Sequence, residues 1–262
     1  MTCYLLTKGR LQRQYTLSWL PPDMVDDVVV VCPPDEADAY RLLYPYRVQV
    51  TEAPGVGAIR QEVLDAHSVT DRGPYVMFLD DDLRFYVRRD DKPTNTYSPP
   101  RRGVEVLQAF QAVRAGFDRG YSFVGLAHRS GANRETAKHL LNRRLYAAWA
   151  CDVAVARQRG FRTDRLPLME DFDFQLQWLT AGYDTLTVNW YIQDNSAGPN
   201  AAGGCSTYRT PELQRECAHQ LEALWPGLVR AVEKRPKGEW FEGQSTRWDV
   251  TIQWKKARAQ AA

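Results

Sequence analysis

Three consecutive aspartates, Asp80, Asp81 and Asp82, directly follow a short apolar segment, residues 75–79. Hard divalent cations such as Mg²⁺ and Mn²⁺ prefer oxygen ligands, which carboxylates supply. Alternate residues of an extended segment point to the same side, so Asp80 and Asp82 can address one ion while Asp81 faces elsewhere. Adjacent carboxylates repel one another, which is costly beside an apolar strand unless a cation is bound. The sequence therefore predicts a divalent-metal site, and a solvated acidic turn is the alternative.

A second acidic pair, Glu170 and Asp171, precedes a segment with the periodicity of an amphipathic helix. Acidic residues are favoured at helix starts because they cap free N–H groups and complement the helix dipole, so capping is one interpretation. A carboxylate held at a helix start can also accept a proton from an attacking hydroxyl group. The pattern leaves open whether Glu170, Asp171 or Asp173 would be the working carboxylate.

The segment Gly55-Val56-Gly57 opens a predicted helix that carries Arg60. Glycines let backbone amides approach a ligand, and a helix N-terminus favours an anion. Arg60 would then reach a phosphate or a base. An isolated Gly-x-Gly is also compatible with an ordinary turn from a loop into a helix.

Basic and aromatic residues are interleaved after the aspartates and again near the C-terminus. Arginine and lysine bind phosphate backbones, and aromatic rings bind unstacked bases, so both segments are candidates for nucleic-acid contact. An ordinary solvated surface is the alternative for each. The candidates are Arg84, Arg88, Arg89, Lys92, Arg101 and Arg102 with Phe85, Tyr86 and Tyr97 in the first segment, and Trp240 and Trp248 among several Lys and Arg residues in the second.

Strand and helix patterns alternate along the first half of the chain, which favours an open α/β sheet that is mixed and mostly parallel. Ligands of such sheets bind beyond the carboxyl ends of the strands, where the aspartates lie. Predicted strands cover residues 3–6, 28–32, 47–50, 75–79, 123–127 and 185–191. Predicted helices cover residues 12–20, 35–43, 56–67, 104–119 and 172–181, with a helix pair at 211–232. Residues 84–103 and 195–207 are predicted loops, and residues 147–156 remain of uncertain type.

The bulk composition is that of an ordinary globular protein. The 262 residues carry a net charge of +2, so any affinity for a polyanion would have to come from local patches. The five cysteines form no Cys-x-x-Cys pair, which argues against structural zinc and against a disulfide framework. No segment approaches the roughly 20 apolar residues that span a bilayer. We expect one main domain, residues 1–210, with a helical and basic extension, residues 211–262, packed on it.

The order of these motifs resembles that of GT-A fold glycosyltransferases over about residues 1–195. The resemblance implies that Asp80 and Asp82 bind Mn²⁺ or Mg²⁺, which holds the diphosphate of a nucleotide-sugar, with a UDP-sugar expected. It also implies donor-binding roles for Arg10, Gly57, Arg60, Asp80 and Asp81, and a catalytic role for the Glu170-Asp171 pair with Asp171 as the base. Many members use a C-terminal histidine as a further metal ligand. None lies between Tyr183 and Pro211 here, so Asp194, Asn195 or water would take that position.

The chain more narrowly resembles phage-encoded glycosyltransferases associated with TET/JBP-type DNA oxygenases. Segments such as Met169-Glu170-Asp171-Phe172-Asp173 and the run from Gly203 to Thr210 carry this likeness. It implies 5-hydroxymethylcytosine in DNA as the acceptor, with Arg84, Arg88, Arg89, Arg101, Arg102, Trp240 and Trp248 holding the DNA, and a place in the cytoplasm of an infected cell. A glycan, protein or small-molecule acceptor, a nucleotidyltransferase and a non-catalytic DNA-binding module are the alternatives.

Overall fold

The computed structural model describes residues 1–132, 135–195, 202–235 and 245–261. Its strands are β1 (Thr2–Leu6), β2 (Val28–Cys32), β3 (Arg47–Val50), β4 (Tyr75–Asp80), β5 (Leu83–Arg88), β6 (Thr96–Tyr97), β7 (Phe123–His128), β8 (His139–Leu141), β9 (Ala148–Asp152), β10 (Thr185–Asn195), β11 (Val229–Lys234) and β12 (Arg247–Ile252). Its α-helices are α1 (Tyr15–Trp19), α2 (Pro34–Leu43), α3 (Val56–Ala66), α4 (Val69–Arg72), α5 (Val104–Asp118), α6 (Arg129–Ala132), α7 (Val153–Arg159), α8 (Glu170–Thr180), α9 (Pro211–Leu224) and α10 (Trp254–Ala259).

Ten strands form one central sheet in the order β3-β2-β1-β4-β9-β7-β10-β5-β6, with β8 pairing to β10. Strands β3, β2, β1 and β4 run parallel, and β7 and β10 are parallel to each other. Strand β9 is antiparallel to both β4 and β7 and therefore joins the two parallel groups. Because β1, β4, β7 and β10 point the same way, their carboxyl ends meet along one edge of the sheet, as predicted for the site.

Apolar side chains cover both faces of this sheet, which explains the continuous apolar runs of its central strands. One face packs on helices α1, α2 and α5 through residues such as Leu17, Tyr40 and Phe110. The other packs on α3, α7 and α8, where Phe78, Phe123, Trp149, Phe174 and Trp178 form a continuous aromatic cluster. The predicted mixed α/β sheet flanked by helices is confirmed.

The C-terminal part packs against the outer side of α8. Helix α9, the antiparallel pair β11–β12 and helix α10 bury apolar residues together with Leu176 and Leu179 of α8. The predicted helix pair over residues 211–232 is wrong in its second half, because α9 ends at Leu224 and β11 begins at Val229. The β-branched residues of Val229–Lys234 form a strand once β12 supplies a partner.

The predicted loop at residues 84–103 is also wrong, because it contains β5 and β6. In β5, Leu83, Phe85 and Val87 are buried, and they alternate with Arg84 and Tyr86, which keep more accessible surface. This period of two is typical of a strand, but the density of arginine and the nearby prolines obscured it. Residues 147–156 resolve into β9 followed by the start of α7, and the predicted helix at 12–20 is shortened to α1. Among the described residues, no helix is long and apolar enough to span a membrane.

Candidate active site

Three strands that end at the carboxyl edge of the sheet, β1, β4 and β10, bring polar side chains to one cluster. Arg10 follows β1, Asp80 ends β4, and Asp81 and Asp82 form the tight turn between β4 and β5. The carboxyl end of β10 brings Asn195 to the same place, where its Nδ2 donates to Asp82 Oδ1 at 2.7 Å. The sequence motif is thus a strand end plus a turn rather than an extended run.

The three aspartates have different partners. Asp81 accepts a hydrogen bond from the Thr7 hydroxyl at 2.6 Å and pairs with Arg10. Asp82 lies 3.3 Å from Arg10 Nη1, whereas Asp80 lies 3.0 Å from Arg60 Nη2. Within the described ranges, no group of three or more His, Cys, Asp or Glu side chains is arranged to hold a metal ion.

Crowding of these carboxylates away from water makes their ionisation unfavourable. Burial raises the pKa of Asp80 to about 7, opposed by Arg60 and reinforced by Asp82 and Asp81. Burial likewise raises the pKa of Asp81 to about 6, opposed by Arg10 and by the Thr7 hydrogen bond. Arg10 and Arg60 together face four carboxylates, so the cluster is anionic when all are ionised, and a divalent cation would favour that state.

Arg60 links the aspartate turn to helix α8. Its side chain is buried, and it lies 2.8 Å from Glu170 Oε1 and 3.0 Å from Asp80 Oδ1. The guanidinium group also lies 5.3 Å from the centroid of the Trp149 ring, a cation–π distance. Arg60 therefore contacts carboxylates on two elements, where the sequence predicted contact with a donor phosphate or base.

The three acidic residues of α8 have distinct surroundings. Glu170 faces the buried Arg60, and burial raises its pKa. Asp173 is 1% exposed and bonds to Trp225 Nε1 at 2.7 Å, to Gln177 Nε2 at 3.0 Å and to Arg165 at 3.1 Å. Asp171 instead lies 3.1 Å from Arg144, a side chain that is 43% exposed. The Asp171 and Glu170 side chains are each 11% exposed, so they differ in their partners: Asp171 pairs with the half-exposed Arg144 and Glu170 with the buried Arg60.

Gly57 is tightly packed against the loop that precedes α8. A Cβ atom at this position would lie 2.4 Å from the Thr163 carbonyl oxygen and 3.3 Å from Glu170 Cβ. The Thr163 hydroxyl also donates to the Gly57 carbonyl at 2.8 Å. Gly57 thus allows helix α3 to meet the loop that precedes α8, which indirectly places Arg60 beside Glu170.

Substitution of Gly57 by alanine is expected to destabilise the fold by about 1–3 kcal/mol, because the new methyl group must displace the Thr163 backbone. Urea unfolding of Gly57→Ala and wild type would measure the loss. An unchanged free energy of unfolding together with weaker donor binding would instead favour the predicted contact with the nucleotide.

Residues 202–209 close over this cluster, a feature that no sequence pattern predicted. The Gly204 amide donates to the Lys8 carbonyl at 2.9 Å, and Arg10 Nε donates to the Ala202 carbonyl at 3.2 Å. The Tyr208 hydroxyl lies 3.4 Å from the Val56 amide at the start of α3. A Cβ on Gly203 would lie 2.7 Å from Arg10 Cγ, so this glycine permits the close approach of the segment to Arg10.

The predicted DNA-contacting residues differ in burial and in their partners. Arg88 is 1% exposed and donates to the Asn189 carbonyl at 2.6 Å, so its prediction as a surface residue is wrong. The Arg88 side chain donates to the backbone carbonyls of Asn189 and Pro93. The Trp248 ring is packed against His219 and Arg215. Arg84 and Arg101 lie over the rings of Tyr15 and Trp19, respectively. Arg89 pairs with Asp91, and Arg102 is exposed. Trp240 lies outside the described residues.

Among the solved structures that resemble this chain, TarS supports the fold. S. aureus TarS, residues 1–349, superposes with a TM-score of 0.50 at 14% identity, over 85% of this chain and 66% of that one. This chain therefore spans slightly less than two thirds of that structure. GalNAc-T7 crystallised with UDP, GalNAc and Mn²⁺ aligns with a TM-score of 0.47 at 11% identity, over 74% of this chain and 44% of that one. No match was found among curated proteins.

The family is shown by the sequence itself. The model of the TET-Associated Glycosyltransferase family matches residues 1–204, which include the aspartate turn, Arg60 and the acidic start of α8. The match confirms the predicted glycosyltransferase class, and the structural likeness to TarS agrees with the predicted GT-A fold. The chain belongs to the TET-associated glycosyltransferase family.

Proposed function

We propose that the protein is a metal-dependent glycosyltransferase that transfers a sugar from a nucleotide-sugar, with a UDP-sugar expected, to the hydroxyl group of 5-hydroxymethylcytosine in DNA. The observation that carries this proposal is the placement of Asp171 and the aspartate turn at one sheet edge in a member of a TET-associated family. TET-type oxygenases produce the hydroxymethylated base, so the family name supports that acceptor. Such an enzyme would act in the cytoplasm of a phage-infected cell.

The composition of the cluster fits a hard divalent cation. Its donors are carboxylate oxygens, and four carboxylates face two arginines there, which leaves excess negative charge when all are ionised. Asp80 and Asp82 would hold Mn²⁺ or Mg²⁺, and the side chain of Asn195 beside Asp82 would occupy the position of the missing histidine. When bound, the cation would neutralise charge on the leaving diphosphate.

Charged groups of the chain itself would hold the donor. Arg10 lies between Asp81, Asp82 and the carbonyls of residues 202–209, so it can place its charge beside a bound diphosphate without moving far. The 202–209 segment, with Tyr208 against the start of α3, would exclude water from the sugar. Exclusion of water matters because hydrolysis competes with transfer.

Asp171 would act as the general base. Its carboxylate accepts the proton of the acceptor hydroxyl while the hydroxyl oxygen bonds to the anomeric carbon of the sugar. The bond from that carbon to the diphosphate breaks, and its electron pair leaves with the nucleoside diphosphate. The acceptor base would first have to leave the helical stack to reach this position.

A transfer assay tests the proposal. Wild-type protein is incubated with Mn²⁺ and a panel of labelled nucleotide-sugars, and with duplexes that are identical except for cytosine or 5-hydroxymethylcytosine. We expect label on the hydroxymethylated duplex alone, with release of a nucleoside diphosphate. Absence of transfer across the whole panel would refute the DNA acceptor, and release of pyrophosphate would identify a nucleotidyltransferase.

A further inference from the structure

Polar and aromatic side chains extend from Asp171, at the site described above, to the end of β10. Tyr146 contacts Arg144, with 4.2 Å from the guanidinium carbon to the ring centroid, and it contacts the His128 ring at 4.8 Å. Asp194 lies 3.5 Å from His128 and 3.4 Å from Arg129. We call these residues, Asp171, Arg144, Tyr146, His128, Asp194 and Arg129, the acceptor-side surface.

Arg144 is fixed on this surface by several contacts. Its guanidinium carbon lies 4.0 Å from the centroid of the Phe172 ring as well as 4.2 Å from that of Tyr146. The buried side chain of Gln175 bonds to both flanking residues, accepting from the Leu145 amide at 2.9 Å and donating to the Arg143 carbonyl at 2.7 Å. Arg144 is thus held in place but remains 43% exposed.

Arg129 repeats this arrangement at the other end of the surface. Its guanidinium carbon lies 4.2 Å from the centroid of the Tyr86 ring, it pairs with Asp194, and it is 44% exposed. A guanidinium group carries five N–H donors, and a ring covering its face leaves its edge toward solvent. Each arginine therefore presents oriented donors at low cost in side-chain entropy.

A third cation approaches from the C-terminal part of the chain. Arg247 of β12 pairs with Asp249 at 2.9 Å. Burial lowers the pKa of Arg247, and repulsion from Arg144 and Arg209 adds to this effect although Asp249 opposes it. If Asp171 accepts a proton, Arg144 also loses its anionic partner, which strengthens its attraction for an anion.

We propose that Arg144 and Arg129 bind phosphodiester groups of the acceptor strand on either side of the nucleotide that receives the sugar. This inference rests on the proposed function, because it takes the acceptor to be a nucleic acid. Planar, oriented guanidinium donors match phosphate oxygens, and contacts to phosphate fix the register of a strand without reading its sequence. The two arginines would thereby place the target hydroxyl beside Asp171.

The salt dependence of DNA binding tests this inference. Fluorescence anisotropy would measure Kd for a 5-hydroxymethylcytosine duplex, without donor, between about 50 and about 200 mM salt. Each lost phosphate contact should reduce the slope of log Kd against log salt by about 0.9, so the affinity deficit of Arg144→Gln or Arg129→Gln should shrink about threefold over that range. Arg162→Gln is the matched control, since Arg162 is 49% exposed and pairs with Asp164 away from this surface.

The possible outcomes separate the sources of the effect. Wild-type slopes in both variants would overturn the inference. If kcat alone then fell in Arg144→Gln, Arg144 would be a positioning residue for Asp171. If Arg144→Gln bound UDP and Mn²⁺ more weakly but kept the wild-type slope for DNA, Arg144 would belong to the donor site. That result would also overturn the inference. Reduced slopes in a protein that transfers no sugar to DNA would refute the proposed function while the phosphate-binding surface stands.

Discussion

Asp171→Asn is expected to lower kcat for sugar transfer by about 10²–10⁴-fold, because asparagine cannot take the proton of the acceptor hydroxyl. The substitution preserves side-chain size and leaves Arg60, Asp80 and Glu170 in place, so donor affinity should be nearly unchanged. Steady-state kinetics with the hydroxymethylated duplex, together with a direct titration of the nucleotide, would separate the two quantities.

Asp173→Asn is the matched control on the same helix. Asp173 is buried against Trp225, Arg165 and Gln177. Its substitution should therefore mainly lower the free energy of unfolding, and kcat of the folded protein should fall much less than in Asp171→Asn. If Asp171→Asn kept more than about a tenth of wild-type kcat, well above the range for a general base, another group would have to accept the proton.

Asp82→Asn is expected to abolish the activation of transfer by Mn²⁺ and to weaken Mn²⁺ binding by at least tenfold in the presence of UDP. Removing one carboxylate takes away a charged ligand and reduces the negative charge that favours a divalent cation. Calorimetric titration of Mn²⁺ into the protein with UDP measures this independently of catalysis.

Asp81→Asn provides the comparison within the same turn. Asp81 accepts a hydrogen bond from Thr7 and pairs with Arg10. Its substitution should therefore alter the KM for the donor, and it should weaken Mn²⁺ binding less than Asp82→Asn does. Equal Mn²⁺ affinity in Asp82→Asn and wild type would reject Asp82 as a ligand. A larger loss in Asp81→Asn would exchange the roles of the two aspartates.

Local patterns predicted six of the ten strands of the sheet, an acidic pair beside the start of a helix, and the position of the aspartates at a strand end. Long-range pairing was not predictable, because no local pattern records that Arg60 meets Glu170 110 positions away. Arg88 shows the same limit. An arginine among other arginines is expected at the surface. Arg88 is instead buried, and the Asn189 carbonyl to which it donates lies on a strand that is distant in the sequence.

The acceptor-side surface shows a second limit of sequence reasoning. Arg144 has only Arg143 as an adjacent basic residue and Arg129 has only His128, so neither stands out as the arginines after the aspartate turn do. The parallel course of β7 and β10, with β9 antiparallel between β4 and β7, brings His128, Asp194 and Tyr146 to one edge. Topology rather than composition creates that surface.

The packing of the C-terminal part on α8 also limits how this enzyme can diversify. The family model ends at residue 204, yet Leu176 and Leu179 are covered by residues from α9, β11 and later elements. A chain cut at residue 204 would expose the back of the helix that carries Asp171 and would leave Asp173 without Trp225. Exchange of this C-terminal part between relatives, as a route to new acceptors, would therefore succeed only if the incoming segment preserved the apolar surface behind α8.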